Sequence, residues 1–169
     1  MRLFLAINLT SDVRRAIIQG TAPLREAAPE LGWVDESRLH LTLKFLGEQG
    51  DELVAPLGDA LDAVARRHRS FGMQVADIGA FPNFRRARVV WIGIHREPRL
   101  ELLHHDIEVA CEGLGFELEG RSFRPHLTLA RVRDGTPETT LRALSRAGER
   151  IAVDESVEVT SVDLMRSNP

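Results

Sequence analysis

The four residues His40-Leu41-Thr42-Leu43 recur as His126-Leu127-Thr128-Leu129, about half the chain further on. Successive side chains of an extended strand point to opposite faces, so each copy places its His and Thr on one face and its two Leu on the other. The sequence therefore predicts two strands that each present an imidazole and a hydroxyl on an apolar backing. Because packing alone has no reason to select the same polar pair twice, the repeat indicates a functional site.

Length and composition bound the class of protein. The 169 residues fit one domain, and we expect a single two-lobed domain over residues 1–169. The single cysteine, Cys111, excludes an internal disulfide framework and suits a reducing compartment, where we interpret it as a small buried helix residue. Charged residues interrupt the apolar N-terminal stretch before a membrane segment is complete, so we expect a soluble cytoplasmic protein.

The charge pattern limits how the chain can bind nucleic acid. A formal net charge of −3 gives no overall attraction to RNA, so any affinity must come from local basic groups. Each of these basic groups can also be interpreted as part of a solvated arginine-rich surface. The candidates are Arg85, Arg86, Arg88, Arg121, Arg124, Arg131 and Arg133.

The apolar periodicity predicts a mixture of helices and strands. Several strands follow one another without a helix between them, which favours a mixed, largely antiparallel α+β architecture over a doubly wound parallel sheet. Predicted helices cover 11–25, 51–67, 98–114 and 137–147, and predicted strands cover 3–9, 39–46, 71–78, 89–94, 116–119, 126–132, 151–153 and 157–165.

Two histidines close to one reacting phosphorus suit general acid–base catalysis. Histidine takes up and releases protons near neutral pH, so a pair can act as general base and general acid in one displacement at phosphorus. The hydroxyls of Thr42 and Thr128 can donate hydrogen bonds to phosphate oxygens. Arg131 can add a bidentate cation, although strict alternation places it opposite His126 unless a bulge or the strand end turns it inward.

Zinc is the main chemical competitor for histidine side chains. His104 and His105 are adjacent on a predicted helix, where neighbours diverge by about 100° and cannot readily share a metal. The sequence has neither H-x-x-x-H spacing nor a cysteine cluster, so we expect no metal and no cofactor. A metal-dependent phosphoesterase is thus disfavoured, and His68, His95, His104 and His105 are interpreted as surface or packing residues.

At the two motifs the sequence resembles the 2H phosphoesterase superfamily, which is named for its paired H-x-S/T-x motifs. Within it the chain is similar to the bacterial and archaeal RNA 2′,3′-cyclic phosphodiesterases, historically called 2′-5′ RNA ligases. The similarity covers almost the whole chain and is clearest in residues 2–7, 38–47, 79–82, 88–93 and 123–131.

The resemblance implies a two-lobed fold of antiparallel sheets with outer helices, whose motif strands face each other across a central cleft. It implies hydrolysis of a 2′,3′-cyclic phosphate, at an RNA or tRNA end or in a cyclic nucleotide, to a 2′-phosphate, with reversible 2′-5′ ligation as a further activity. By analogy His126 is the base that activates water and His40 the acid that protonates the departing 3′ oxygen. This assignment can be reversed. Thr42, Thr128 and Arg131 hold the phosphate oxygens.

Two further expectations complete the interpretation. The alternative function is a non-catalytic module that binds RNA ends or nucleotides, but such a binder needs no proton-transfer groups, so the intact motifs favour a monomeric enzyme. The resemblance also implies a Gly/Pro-rich loop and a Tyr-containing strand after Ser167. The sequence contains no Tyr and stops at Pro169, so we expect a truncated C terminus.

Overall fold

A computed structural model describes residues 1–167 of the chain; Asn168 and Pro169, the end of the expected truncated tail, lie outside the described residues. The strands are β1 (Arg2–Asn8), β2 (Gly32–Trp33), β3 (His40–Glu48), β4 (Phe71–Phe81), β5 (Val89–Ile94), β6 (His126–Arg131), β7 (Asp154–Val159) and β8 (Asp163–Ser167). The helices are α1 (Ser11–Gly20), α2 (Ala22–Ala27), α3 (Val54–Ala65), α4 (Pro98–Glu112) and α5 (Glu138–Glu149). The α+β class is confirmed.

The strands form one sheet in the order β7-β4-β5-β6-β3-β1-β8, and the short β2 pairs with β6. All of these pairings are antiparallel. The two motif strands, β3 and β6, are neighbours at the centre, where Leu41 pairs with Leu127. The two expected lobes are therefore two half-sheets of one continuous sheet, joined at this pair.

The sheet must curl strongly. Strands β7 and β8 stand at opposite ends of the strand order, yet only residues 160–162 connect them. An extended link of that length spans at most about 14 Å. The two edges therefore approach each other at this end, and one face of the sheet is concave.

The helices pack in two groups. Helix α2 packs on α5, and α3 packs on α4. Each helix buries large apolar side chains, which stabilise it by roughly 1.5–3 kcal/mol apiece. Examples of fully buried residues are Ile17 of α1, Leu24 of α2, Leu57 of α3, Ile107 of α4 and Leu144 of α5. None of the helices in the described residues is both long and apolar enough to cross a membrane.

The first predicted helix, over 11–25, is divided into two. Helix α1 begins after Thr10, whose hydroxyl accepts a hydrogen bond from the Val13 amide, so Thr10 is the N-cap. The chain breaks at Thr21, whose hydroxyl donates to the Ile17 carbonyl, and α2 then starts with Pro23 in its first turn.

Three strand predictions are wrong. Residues 116–119 form no strand, because buried side chains hold their backbone: Lys44 donates to the Glu117 carbonyl and Glu108 accepts from the Glu119 amide. Residues 151–153 precede β7 rather than forming a strand. The predicted strand over 157–165 is two strands, because β7 pairs with β4 while β8 pairs with β1.

Candidate active site

The repeated motif has the two-faced pattern that its alternation predicts. In β3 the leucines Leu41 and Leu43 are buried, while His40 and Thr42 are only partly buried. The second copy, in β6, repeats this burial pattern residue by residue. Both imidazoles and both hydroxyls therefore lie on the same face of the sheet, and the leucines belong to the core.

The pairing of the motif strands brings the four polar side chains together. In an antiparallel pair the register found at the central leucines places His40 opposite Thr128, and Thr42 opposite His126. Each histidine is thus next to the threonine of the other copy as well as two residues from its own. A small anion on this face can contact both imidazoles and both hydroxyls.

Each motif histidine is fixed by the main chain. The Nδ1 atom of His40 lies 2.7 Å from the carbonyl oxygen of Arg38, and Nδ1 of His126 lies 2.6 Å from that of Arg124. A carbonyl oxygen only accepts, so Nδ1 carries the proton in both rings. In the neutral form of each ring Nε2 is then the acceptor nitrogen, and within residues 1–167 it forms no hydrogen bond, which is the state that a general base requires.

Aromatic side chains pack against the imidazole rings of His40 and His126. The ring of Phe4 lies 5.0 Å from that of His40. Phe81 meets His126 edge to face at 4.9 Å, and Trp91 lies 6.1 Å from the same imidazole. These contacts restrict ring rotation, and together with the Nδ1 bonds they determine where each Nε2 points.

Two polar residues beside His40, Asn8 and Arg14, belong to no local sequence pattern. Asn8 pairs with His40 across β1 and β3, and Arg14 of α1 donates to the Asn8 side chain at 3.2 Å and to the Leu39 carbonyl at 2.9 Å. Burial lowers the pKa of His40; the bond to the Arg38 carbonyl acts in the opposite direction, and the positive charge of Arg14 lowers the pKa further. Free His40 is therefore biased towards its neutral form.

A β-bulge turns Arg131 towards the histidine face. Trp91 of β5 pairs with Thr128, but the next partner along β5, Val90, pairs with Ala130, so β6 carries an extra residue between them. Both Leu129 and Ala130 are buried, and the alternation of side chains between the two faces of the sheet restarts after them. Arg131, which is exposed, thus lies on the face of His126 and Thr128, and the bulge that its predicted role requires is present.

The first motif strand contains a matching bulge. Leu5 of β1 pairs with Lys44, whereas the next residue, Ala6, pairs with Thr42. Leu43 and Lys44 are both buried, so Phe45 occupies the place that Arg131 has in the second copy. Phe45 is 71% exposed, and its ring lies 6.2 Å from that of Phe4, which also contacts His40. No pattern in the sequence distinguished this phenylalanine from a core residue.

Several predicted basic residues gather near Arg131. We define the basic rim as Arg85, Arg86, Arg88, Arg131 and Arg133, all of which are exposed. The amide of Val132 donates to the carbonyl of Arg88 at 2.9 Å, which joins the two stretches of chain. Within residues 1–167 no member of the rim forms an ion pair with a carboxylate. Arg124 lies apart from the rim, over the ring of Phe81.

Three of the other four histidines contact partners outside the two motifs, and the fourth, His105, is exposed. His68 lies 2.7 Å from the carboxylate of Asp106, and His95 lies 3.2 Å from that of Asp77. The ring of His104 stacks on Phe123 at 3.8 Å. Across the described part of the chain, no three His, Cys, Asp or Glu side chains come together in an arrangement that can hold a metal ion.

An antiparallel sheet with two adjacent H-x-T-x strands, both histidines on one face, defines a two-histidine phosphoesterase fold. A family model described as the 2′-5′ RNA ligase superfamily matches residues 13–168. The chain belongs to the 2′-5′ RNA ligase superfamily, as the resemblance predicted.

Individual relatives agree with this membership. An RNA 2′,3′-cyclic phosphodiesterase from Geobacillus stearothermophilus is 37% identical over 91% of this chain, which spans only 50% of that relative's length. A crystal structure of a Thermus thermophilus protein matches with a TM-score of 0.80 at 28% identity, covering 99% of this chain and 89% of the other. Escherichia coli LigT complexed with 3′-AMP matches with a TM-score of 0.68 at 31% identity, covering 96% and 86%.

Proposed function

We propose that this chain hydrolyses the 2′,3′-cyclic phosphate of an RNA end, or of a cyclic nucleotide, to a 2′-phosphate. The observation that carries the proposal is the pair of imidazoles on one face of the sheet, each oriented by an Nδ1 hydrogen bond to the main chain that leaves Nε2 as the acceptor nitrogen. The name shared by relatives at 29–37% identity, RNA 2′,3′-cyclic phosphodiesterase, supports this reaction. A binding module alone has no need for two such groups.

In the proposed reaction His126 acts as the base and His40 as the acid. The Nε2 atom of His126 accepts a proton from water, the water oxygen attacks phosphorus, and the bond from phosphorus to the 3′ oxygen breaks. Protonated His40 gives its Nε2 proton to that departing oxygen. Attack and departure occur on opposite sides of phosphorus, which suits two histidines on neighbouring strands.

The non-bridging oxygens of the phosphate need hydrogen-bond donors, because negative charge develops on these oxygens in the transition state and strengthens such bonds. We assign this role to the hydroxyls of Thr42 and Thr128, which lie across from the opposite histidines in the strand register. The guanidinium of Arg131, turned to this face by the bulge, supplies the positive charge. The reaction then requires no metal, because protons and charge are both handled by side chains of this chain.

The surroundings of His40 favour its assignment as the acid. The exposed ring of Phe45 offers a surface on which a nucleobase can stack, and Phe4 links this ring to His40. A base stacked there brings its own ribose, and so the departing 3′ oxygen, to the His40 side. The negative charge of the bound phosphate raises the pKa of His40, which opposes the effect of burial and favours the protonated form.

The basic rim fits an RNA strand better than a free nucleotide. Its five exposed arginines lack carboxylate partners within residues 1–167, so they are available to phosphates. LigT of Escherichia coli has been solved with 3′-AMP, which supports a nucleotide as the minimal ligand of the site. We propose RNA or tRNA ends as substrates, and a monomer in the cytoplasm, where the single buried Cys111 stays reduced.

The test is hydrolysis of a nucleoside 2′,3′-cyclic phosphate in excess chelator, with identification of the product isomer. We expect a 2′-phosphate from the parent chain and from a His105→Ala control, and none from His40→Ala or His126→Ala. Loss of activity in chelator that is restored by a divalent metal would contradict the metal-free mechanism. Tight binding of the cyclic phosphate without any turnover would instead identify a binding module.

A second substrate separates the roles of the histidines. A nucleotide p-nitrophenyl ester has a leaving group that needs no proton, so it bypasses the general acid but not the base. We expect His40→Ala to hydrolyse this ester at a rate close to that of the parent, and His126→Ala to remain inactive. The opposite pattern would reverse the assignment.

A further inference from the structure

The loop from α4 to β6, residues 113–125, ends at the group that orients His126. The carbonyl of Arg124 accepts the Nδ1 hydrogen of this imidazole at 2.6 Å, so the position of the carbonyl determines the direction of Nε2. The matching carbonyl at His40 comes from Arg38, which ends a short 3₁₀ helix. A helical turn thus supports the carbonyl at His40, whereas the carbonyl at His126 follows a loop.

Most of this loop has no support from its own main chain. Residues 117–122 are all exposed. Within the described residues, the stretch 117–125 makes no hydrogen bond between backbone groups. Local opening of such a stretch costs little, so a single conformation requires contacts from other parts of the fold.

A buried ion pair supplies these contacts. The ammonium of Lys44 in β3 donates to the Glu117 carbonyl at 2.9 Å, and the carboxylate of Glu108 in α4 accepts from the Glu119 amide at 3.1 Å. Nζ of Lys44 lies 2.9 Å from the nearer Glu108 oxygen, and both side chains are 8% exposed. The pair is thus fixed in the core while it binds two backbone groups of an exposed loop.

The contacts extend to the residue directly before Arg124. Nε2 of His104 lies 3.6 Å from the Glu108 carboxylate. The His104 ring stacks on Phe123, with the ring planes 3° apart and the ring centres 3.8 Å apart. Phe123 also packs against the hydrophobic core. The loop is therefore held at three points, and the last of them adjoins the carbonyl that binds His126.

The bulge in β3 places Lys44 on the core face. Strict alternation after Thr42 would return Lys44 to the face of the histidines, but Leu43 is the extra residue, so Lys44 is buried instead. Strand β3 therefore presents His40 on one face and, through Lys44 on the other face, contacts the loop that orients His126.

Stability alone does not account for a charged pair at this place. Burial of two charges costs desolvation, and well-packed apolar side chains of similar volume are commonly as stabilising as a buried ion pair. Apolar side chains, however, cannot bind a carbonyl and an amide of the loop. What the ion pair adds to apolar packing is a fixed position of the loop.

We propose that Lys44 and Glu108 are positioning residues for His126. By holding the loop they keep the Arg124 carbonyl against Nδ1, so the ring proton stays on Nδ1 and Nε2 stays the acceptor that takes a proton from water. The effect on the rate rests on the proposed function, whereas the effect on the state of the His126 ring does not.

The test measures the tautomer of His126 directly. Nitrogen chemical shifts of a labelled imidazole distinguish the Nδ1–H form from the Nε2–H form, and a neutral ring without a partner favours Nε2–H. The test variant combines Lys44→Met with Glu108→Leu, which removes both bonds to the loop. The matched control is Leu144→Ala, which destabilises the core at α5, where α5 packs on α2, and leaves both loop bonds intact.

We expect the double variant to move His126 from the Nδ1–H form to a mixture that contains Nε2–H. Its kcat for a cyclic nucleotide should fall about 10–100-fold at an unchanged KM, because the base is misdirected while the phosphate-binding groups remain. The ring of His40, whose partner Arg38 lies outside the loop, should not change and serves as the internal reference. Leu144→Ala should leave both rings and kcat unchanged at a temperature where it is folded.

Glu119→Pro is a second, more local variant. It removes the amide that Glu108 binds, and because the Glu119 side chain is exposed, the core keeps its ion pair. We expect a smaller shift of His126 towards Nε2–H, with kcat lowered about three- to tenfold. The control is Leu118→Pro, because the Leu118 amide donates to no backbone group within residues 1–167.

A His126 ring that stays in the Nδ1–H form in both the double variant and Glu119→Pro overturns the positioning role. An equal change in the Leu144→Ala or Leu118→Pro control also overturns it, because the cause is then a general loosening of the fold. If the parent chain fails to hydrolyse the cyclic phosphate while His126 still changes its tautomer in the test variants, the proposed function is overturned and the positioning role stands.

Discussion

The two motif strands share their active groups but differ in the residues beyond them. Both β3 and β6 present a His and a Thr on one face, and in both the extra residue of a bulge, Leu43 or Leu129, directly follows the Thr. After the bulge β3 has Lys44 and Phe45, whereas β6 has Ala130 and Arg131. In the proposed mechanism proton transfer is shared equally between the half-sheets, while recognition is divided: one side offers the aromatic surface of Phe45 and the other the cation of Arg131.

The largest effect should come from the groups that the strands have in common. His40→Ala and His126→Ala should each lower kcat by about 10²–10⁴-fold, because each removes one proton transfer from the same step. The double variant should be no slower than the poorer single variant, since neither histidine completes the reaction alone. Single-turnover rates with a cyclic nucleotide measure this, and multiplicative losses in the double variant would show that the histidines act independently.

The next effect concerns the buried residue that follows the extra residue of each bulge. This residue is charged in β3, where it is Lys44, and uncharged in β6, where it is Ala130. Lys44 contacts both carboxylate oxygens of Glu108, at 3.1 and 2.9 Å. Lys44→Met leaves that buried carboxylate without its cation, so the free energy of unfolding should fall by about 3–5 kcal/mol. Urea denaturation measures the loss.

A matched double variant separates lost charge pairing from lost packing. Lys44→Met combined with Glu108→Leu removes both charges, and it should recover the part of the loss that comes from the unpaired carboxylate, whereas the hydrogen bonds to the Glu117 carbonyl and the Glu119 amide stay lost. Equal stability of Lys44→Met and the parent chain would mean that the ion pair contributes nothing. Ala130→Met, at the matching place in β6, would test whether that strand has room for a side chain of similar length.

A smaller effect should distinguish the two exposed residues that come after the bulges. Arg131→Lys keeps the charge but loses the planar fork that binds two phosphate oxygens, so kcat should fall by about tenfold. Phe45→Leu keeps an apolar residue but loses the stacking surface, so KM for a cyclic nucleotide should rise by about five- to tenfold at an unchanged kcat. Steady-state kinetics of both variants with one substrate checks this separation. If both changed the same constant, recognition would not be divided between the strands.

The smallest effect concerns the different environments of the two imidazoles. Arg14 lies beside His40, and its positive charge disfavours protonation of that ring. Arg14→Gln should therefore raise the pKa of His40, although burial, the larger cause, remains. NMR titration of the imidazole Cε1 proton measures the shift, with His126 as the internal reference. An unchanged or lower midpoint for His40 would contradict this electrostatic interpretation.

The sequence predicted those features that depend on local periodicity. Alternation in each motif placed both histidines and both threonines on the face opposite the buried leucines, and the α+β class followed from consecutive strands. The resemblance to the family is confirmed. The strand predicted over 116–119 is wrong because Lys44 and Glu108, which are distant in the chain, satisfy that backbone.

Features that depend on pairing between distant segments could not be predicted. The bulge that turns Arg131 is visible only in the register between β5 and β6. Likewise Asn8 and Arg14 reach His40 through the β1–β3 pairing and the position of α1, and neither belongs to a local pattern. A cavity of about 560 Å³ beside His126 is lined by strand residues such as Phe81 and Trp91 and by Glu101 in the first turn of α4, so no single stretch of sequence indicates it.

The hydrogen bond from each Nδ1 to a backbone carbonyl bears on how such a site varies during evolution. In a Ser-His-Asp triad the group that orients the histidine is the side chain of the Asp, so its loss is seen in the sequence as a substitution of that residue. Here that partner is the peptide group of residue 38 or 124, which every amino acid supplies. Substitution at these positions leaves the oriented imidazole in place. Each proposed catalytic group therefore needs only the four residues of its motif, and the main-chain group that orients its histidine cannot be recognised from the sequence.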